Sequence, residues 1–316
     1  MTQPTSFGFD DIPDQTGRTV LVTGASSGLG AIAAEQLAAR GATVLMAVRD
    51  VAKGSAVANR IGRGDLEVHQ VDLADLDSVR SFAGSLHDAG RHIDVLINNA
   101  GVGGQRRALT AQGYERVFAT NHLGPFALTG LLLDLFRPDH DPRVVAVGSN
   151  LYRRMRPATD FEDLAADRSF SPGVAYVRSK LANLMFGSEL ERRLRRAGSP
   201  VRSFLAHPGM ASTPMHDTAQ GFVQKTFLVV AGALLSRPAE AGAVPLLFAA
   251  TSPAAESGVF LGPSARKWDS RVHFDALVRP ADDAELAARL WQISERATGV
   301  RYLDHASLPD GPAGRL

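Results

Sequence analysis

The chain has no cysteine. That removes disulfides, thiolate nucleophiles and cysteine-ligated zinc in one step, and it is compatible with a reducing compartment. Neither sign of charge dominates: 34 Lys and Arg stand against 33 Asp and Glu, a formal net charge of +1. No basic stretch is interleaved with aromatics, so nothing calls for a nucleic-acid partner. The densest charge run, Arg192, Arg193, Arg195 and Arg196, falls at the end of a helical segment, where cations favour the dipole. Long apolar runs are missing too. The strongest, Phe227 to Leu235, is far shorter than the ~20 residues a membrane span needs. Met1 is followed by polar and acidic residues rather than a basic and then apolar leader. No spacing of His, Asp and Glu reads as a metal site. These exclusions leave a soluble, cytoplasmic globular protein without a membrane span as the expectation.

What is present is a rhythm. Residues 1–17 are polar, with Pro4, Pro13 and Gly17, and read as a loosely ordered lead-in. Short apolar runs then recur at 19–22, 42–48, 66–73, 93–101, 143–149, 201–209 and 258–263, separated by helical stretches such as AIAAEQLAAR at 31–40. Apolar strands alternating with helices imply right-handed βαβ units and a parallel sheet buried on both faces. No Pro- or Ser-rich linker splits residues 18–263, so the expectation is a single α/β domain. Residues 264–316 form an extension with one convincing helix, about Asp282 to Ala297.

The first run opens VLVTGASSGLG, with Gly24, Gly28 and Gly30 directly after a strand. In a doubly wound sheet, ligands bind at the carboxyl ends of the strands. Glycine lets the turn tighten and lets a pyrophosphate approach without a Cβ in the way. The following helix adds free N–H groups and a positive dipole end, and Ser26 and Ser27 add hydroxyl donors. Gly-x-x-x-Gly-x-Gly is neither the Gly-x-Gly-x-x-Gly fingerprint nor a P-loop. Further along, Tyr176 and Lys180 stand four apart in a helical segment, which puts them on one face. An ammonium beside a phenol favours phenolate and lowers the tyrosine pKa toward working pH.

Seven motifs in this order resemble the short-chain dehydrogenase/reductase family over about residues 18–263: TGASSGLG (23–30), VDLAD (71–75), NNAG (98–101), Asn121 in FATNHLGPF, Ser149 in VVAVGS, YVRSK (176–180) and HPGMAST (207–213). The gap between Ser149 and Tyr176 and the wording KLANLMFGSEL resemble its retinol-dehydrogenase-like and protochlorophyllide-reductase-like branch. The resemblance implies a Rossmann-type doubly wound parallel sheet with helices on both faces, about seven strands in the order 3-2-1-4-5-6-7. It implies Tyr176 as general acid or base and Ser149 polarising the same oxygen. Lys180 lowers the tyrosine pKa and holds the nicotinamide ribose, and Asn121 binds a water that links Lys180 to solvent. It also implies Gly24, Gly28, Leu29 and Gly30 at the cofactor pyrophosphate, Asp72 and Leu73 at the adenine, and Asn99, Ala100 and Gly101 along the adenosine ribose. Pro208 and Gly209 border the nicotinamide, with Thr213 reaching its carboxamide or the pyrophosphate. Asn98 braces the sheet, and His207 is structural.

Cofactor choice is read after the second strand, which ends AlaValArgAsp at 47–50. Arg49 is placed to pair with a 2′-phosphate, which favours NADP(H). If Asp50 faces the ribose instead, NAD(H) returns. Gly148 stands where many members carry serine and reads as a widened turn. The segment from Met210 to about Arg237 is apolar enough for a lid over a lipophilic carbonyl or alcohol, and equally for a helix packed on the core. The resemblance further implies a homodimer through the helices carrying Asn121 and Tyr176. LLLDLF (131–136) and LANLMF (181–186) suit that role, and suit packing on the sheet as well. The expected activity is an NADP(H)-dependent carbonyl reductase or alcohol dehydrogenase acting on a small molecule. The alternatives are a catalytically silent nucleotide sensor and a sugar-nucleotide epimerase, the latter disfavoured by the glycine spacing.

Overall fold

The computed structural model describes residues 5–155, 159–209, 238–264 and 271–303. It begins with a two-residue strand, β1 (Thr5–Ser6). The apolar runs then form β2 (Thr19–Thr23), β3 (Thr43–Val48), β4 (Asp65–Gln70), β5 (Val95–Asn98), β6 (Arg143–Val147), β7 (Arg202–Ala206) and β8 (Phe260–Pro263). These seven are parallel, in spatial order β8-β7-β6-β5-β2-β3-β4. That is the expected order. A further strand, β9 (Arg271–Asp275), pairs antiparallel with β8, and β1 pairs antiparallel with β9, giving nine strands among the described residues. The chain from Thr5 onward is therefore not loose. Phe7 and Ile12 are buried, and the Phe7 ring meets Phe248 edge-on at 5.2 Å.

One face of the sheet is covered by α1 (Gly28–Ala39), α2 (Val51–Ile61) and a helix over Ala239–Thr251. The other carries α3 (Leu76–Asp88), the chain from α4 (Arg116–Phe118) through a π turn (Ala119–Leu123) into α5 (Gly124–Leu131), and, beyond the short α6 (Tyr152–Met155), α7 (Pro172–Arg196). Numbering the Ala239–Thr251 helix α8, the C-terminal helix is α9 (Ala284–Thr298), close to the span its periodicity predicts. Asp283 caps it by accepting from the Leu286 N–H at 3.0 Å. The arginines at the end of α7 are largely paired: Arg192 and Arg193 with Glu189, and Arg195 with Glu191.

Helix α9 lies across α7 and α5. Trp291 packs against Phe126 at 5.0 Å, Phe186 at 5.9 Å and Tyr302 at 4.7 Å, under the Arg193 guanidinium at 4.4 Å. Leu132, Leu135, Phe136 and Phe186 share its cluster. The two apolar stretches that suited a dimer contact are thus buried within the chain, against the sheet and α9. No helix among the described residues is long and apolar enough to cross a membrane.

Candidate active site

The carboxyl ends of β2, β5, β6 and β7 carry the functional motifs. At β2, Gly24 has φ +69° and donates its N–H to Ala47 O at 2.8 Å. A Cβ on Gly30 would stand 2.5 Å from Gly24 O and 2.5 Å from Asn99 Nδ2, so only glycine lets α1 start this close to the strand ends. The result is a cradle of the kind a pyrophosphate requires. Ser27 is the N-cap of α1, and no hydrogen bond from its side chain closes the helix end. Ser26, Gly28 and Leu29 complete the turn. Thr23, which the sequence reading passes over, holds it in place. Its hydroxyl donates to Ile97 O at 3.2 Å and accepts from the N–H groups of Asn99 and Ala100, both at 3.0 Å. Asn99 Nδ2 returns a bond to Thr23 O at 2.8 Å, so Asn99 braces the sheet as Asn98 does through Thr129 at 3.0 Å.

At the end of β3, Arg49 is exposed and forms no ion pair among the described residues. Asp50 is engaged elsewhere. It caps α2 through the Lys53 N–H at 3.1 Å and pairs with Lys53 Nζ at 3.4 Å, and the backbone bond holds its carboxyl below the usual carboxylate range. Asp72 Oδ1 accepts from the Ala74 N–H at 2.9 Å, and Leu73 is buried beside it.

The candidate catalytic residues gather where β5 and β6 end. Asn121 sits in the π turn, fully buried. Its Oδ1 accepts from the Val102 N–H at 2.8 Å, and its Nδ2 donates to Val102 O at 2.9 Å and Ser179 Oγ at 2.8 Å. Ser179 Oγ donates in turn to Tyr176 O at 2.7 Å. The loop after β5 therefore runs against α7: a Cβ on Gly101 would be 3.2 Å from Lys180 Nζ, and one on Gly103 2.8 Å from the Tyr176 ring. Ser149 lies just beyond β6, and its Oγ accepts from the Leu151 N–H at 3.3 Å.

Lys180 is held by the sheet as well as by its place on α7. Its ammonium donates to Val147 O at 3.0 Å, and burial pulls its pKa down to about 8. Tyr176 is pushed up to about 12, again by burial, so desolvation outweighs any effect of the lysine on the phenol. The Tyr176 hydroxyl has no hydrogen-bond partner among the described residues. Gly148 does not merely widen a turn. A Cβ there would stand 2.3 Å from Leu184 Cδ2, so glycine admits α7 close to β6 and brings Lys180 within reach of Val147. Pro208 and Gly209 follow β7 at the same edge of the sheet. Thr213 and the expected lid at 210–237 lie outside the described residues. So do Arg156, Pro157 and Ala158. Among the described residues, no group of His, Asp and Glu could hold a metal ion.

Two further residues were not legible in the sequence. Arg178 is buried inside YVRSK, donating to Asp160 O at 2.9 Å and Asp163 O at 3.0 Å and lying over Phe118 at 4.9 Å. His122, next to Asn121, is fully buried, with Nε2 2.8 Å from Ser294 Oγ of α9. Burial lowers its pKa from 6.5 to about 3. The unfolded chain takes up this proton as pH falls below about 6.5, and the folded chain does not until about 3, so stability is lost across that window. The urea midpoint should drop between pH 6.5 and 4, and the slope should flatten in His122→Gln. An unchanged slope in the variant would show that other groups govern the acid transition.

A doubly wound sheet with a glycine cradle after β2 and a Tyr–Lys helix, α7, after β6 is the arrangement of a nucleotide-dependent oxidoreductase. The comparisons agree. The family described as short chain dehydrogenase matches residues 18–161. Human retinol dehydrogenase 14 is 36% identical over 305 residues, 90% of this chain and 87% of that one. Mouse polyprenol dehydrogenase is 38% identical over 297 residues, 92% and 86% of the two chains. Among solved structures, an uncharacterised protein from Mycobacterium paratuberculosis superposes with TM-score 0.78 at 42% identity, covering 94% of this chain and 98% of that one. A short chain dehydrogenase from Burkholderia cenocepacia in complex with NADP gives TM-score 0.62 at 25% identity, over 79% and 98%. The chain belongs to the short-chain dehydrogenase/reductase family, in its retinol-dehydrogenase-like branch.

Proposed function

We propose that the protein is an NADP(H)-dependent oxidoreductase that interconverts a carbonyl and an alcohol on a lipophilic small molecule, with Tyr176 as general acid and base. The observation that carries this is the Tyr176 phenol itself: partly buried, protonated, without a partner for its hydroxyl among the described residues, and backed by Lys180, Asn121 and the end of β6. The glycine cradle fits a dinucleotide. Gly24, Ser26, Ser27, Gly28, Leu29 and Gly30 would hold its pyrophosphate, Asp72 and Leu73 its adenine, and Asn99, Ala100 and Gly101 its adenosine ribose. Tyr176 and Lys180 would hold the nicotinamide ribose, and Pro208, Gly209 and Thr213 the nicotinamide side. When bound, this group supplies or accepts the hydride. In reduction, Tyr176 gives its phenolic proton to the carbonyl oxygen while Ser149 donates a hydrogen bond to the same oxygen. Lys180, charged at neutral pH, stands behind the tyrosine to offset the negative charge left on it. The names of the relatives, retinol and polyprenol dehydrogenases, support a lipophilic alcohol or aldehyde.

The engagement of Asp50 with α2 and Lys53 leaves Arg49 as the side chain to meet the cofactor's 2′-phosphate. The NADP-bound relative supports the same choice. The test is oxidation of NADPH and NADH with retinal and a panel of lipophilic aldehydes and ketones. Turnover should favour NADPH. Arg49→Ala should lower kcat/KM for NADPH by about 10- to 100-fold, the size of a charge-assisted phosphate contact, and leave NADH within about threefold. Equal losses with both cofactors would remove Arg49 from the 2′ position. Tight NADPH binding with no turnover of any substrate would favour the silent sensor.

A further inference from the structure

Three segments distant in sequence meet at His207. Its N–H donates to Leu261 O at 2.8 Å, tying the end of β7 to β8. Its ring lies over Gly262, where a Cβ would stand 2.0 Å from Nε2, and packs against Phe260 at 4.6 Å. The Gly209 N–H donates to Nδ1 at 3.1 Å. Nδ1 is then an acceptor, and the ring proton of the neutral imidazole sits on Nε2. Nε2 is 3.1 Å from Asp275 Oδ2, at the end of β9. The Asn150 side-chain amide donates to the same carboxylate oxygen at 3.3 Å and brings its nitrogen 2.8 Å from Nε2. Both groups reach Asp275 Oδ2, the one carboxylate oxygen in contact with them both. Burial works against its carboxylate, yet the hydrogen bonds from His207 and Asn150 hold it below its ordinary range.

Asn150 directly follows Ser149, and Gly209 lies in the segment that follows β7. Pairing of β9 with β8 runs through the backbone, with Asp275 opposite Phe260, and does not call for a carboxylate at this position. We propose that Asp275 is a positioning residue: through His207 and Asn150 it locks the Ser149 loop and the Pro208–Gly209 segment in fixed relation at the carboxyl ends of β6 and β7. The catalytic consequence rests on the functional reading above, because Ser149 is the group placed against the reacting oxygen. The lock itself does not.

The experiment compares Asp275→Ala and Asp275→Asn with the unaltered chain, and uses Ser203→Ala as a baseline. Ser203→Ala removes a buried hydroxyl bond to Gly187 O at 2.9 Å, near the start of β7. Amide hydrogen exchange is followed at Leu151 and Gly209, alongside kcat, KM for NADPH and the urea midpoint. In Asp275→Ala, exchange at both amides should accelerate by at least about tenfold. At the same time kcat should fall about 10- to 100-fold with KM for NADPH within about threefold, the pattern of a misplaced polarising group. Asp275→Asn, which keeps an acceptor oxygen, should restore kcat to within about threefold. Unchanged exchange at the two amides would overturn the lock. Faster exchange with unchanged kcat would reduce it to a structural contact, and so would a loss no larger than that of Ser203→Ala. If the unaltered chain turns over no carbonyl or alcohol, the functional reading fails, and the exchange comparison still decides whether Asp275 holds the two segments.

Discussion

Tyr176→Phe should lower turnover by about 10²- to 10⁴-fold, the usual worth of a positioned general acid, while weakening NADPH binding by no more than about tenfold, the worth of one ribose hydrogen bond. The substitution removes one oxygen. The ring still fills the space against Gly103, and the Lys180 bond to Val147 does not involve the phenol. Loss of kcat well beyond the loss of binding is the signature of an interaction made in the transition state. The direction of reaction adds a second, independent reading. With the Tyr176 pKa pushed up to about 12, the hydroxyl carries its proton through the neutral range, so reduction has its acid fully loaded. Oxidation needs the phenolate, whose fraction grows with pH. Alcohol oxidation should therefore climb as pH rises from 7 to 10 while carbonyl reduction does not. Turnover above a tenth of the original in Tyr176→Phe, with both profiles unchanged, would take the proton transfer away from this residue.

The parts of the fold that could be read from the sequence are those whose burial is written locally. Runs such as TVLV and RVVAV are apolar on successive residues because both faces of a parallel strand are covered, and each became a strand within a residue or two of its expected ends. Helix α9 was legible by its period and by Asp283 before it. Strand β9 was not. Arg271–Asp275 mixes charged and apolar residues at an edge, and β1 is two residues long, so their pairing is decided by partners far along the chain. The site divides the same way. The Tyr176–Lys180 spacing shows a shared helix face but cannot show that Lys180 reaches Val147, because that depends on how closely Gly148 lets Leu184 approach. Asn150, His207 and Asp275 each look unremarkable alone. They join only when the antiparallel strand places a residue from the extension beside the end of β7.

The same extension sets the largest stability effect. Trp291 is almost fully buried, stacked on Phe186, edge-on to Phe126, and covered by Arg193, with its Nε1–H donating to Glu295 Oε1 at 2.8 Å. Truncating such a side chain costs about 3–5 kcal/mol through lost burial and the cavity left behind, and the cation–π contact with Arg193 adds to that. Trp291→Ala should lower the urea-unfolding free energy by that amount. It should also act on association. Helix α9 is what separates the apolar faces of α5 and α7 from solvent, through Leu290, Trp291 and Ile293. With the anchor removed, α9 loosens while other ties remain, such as the Tyr114 hydroxyl donating to Ala297 O at 2.8 Å. Exposed apolar helix faces seek a partner, and a second copy of the chain offers the same surface about a twofold axis. Light scattering should accordingly give a monomer for the unaltered protein and concentration-dependent dimers for Trp291→Ala. A stable dimer of the unaltered chain at micromolar concentration would mean that association uses a surface other than the one α9 covers. A stability loss under about 1 kcal/mol would mean that the helix docks without its tryptophan.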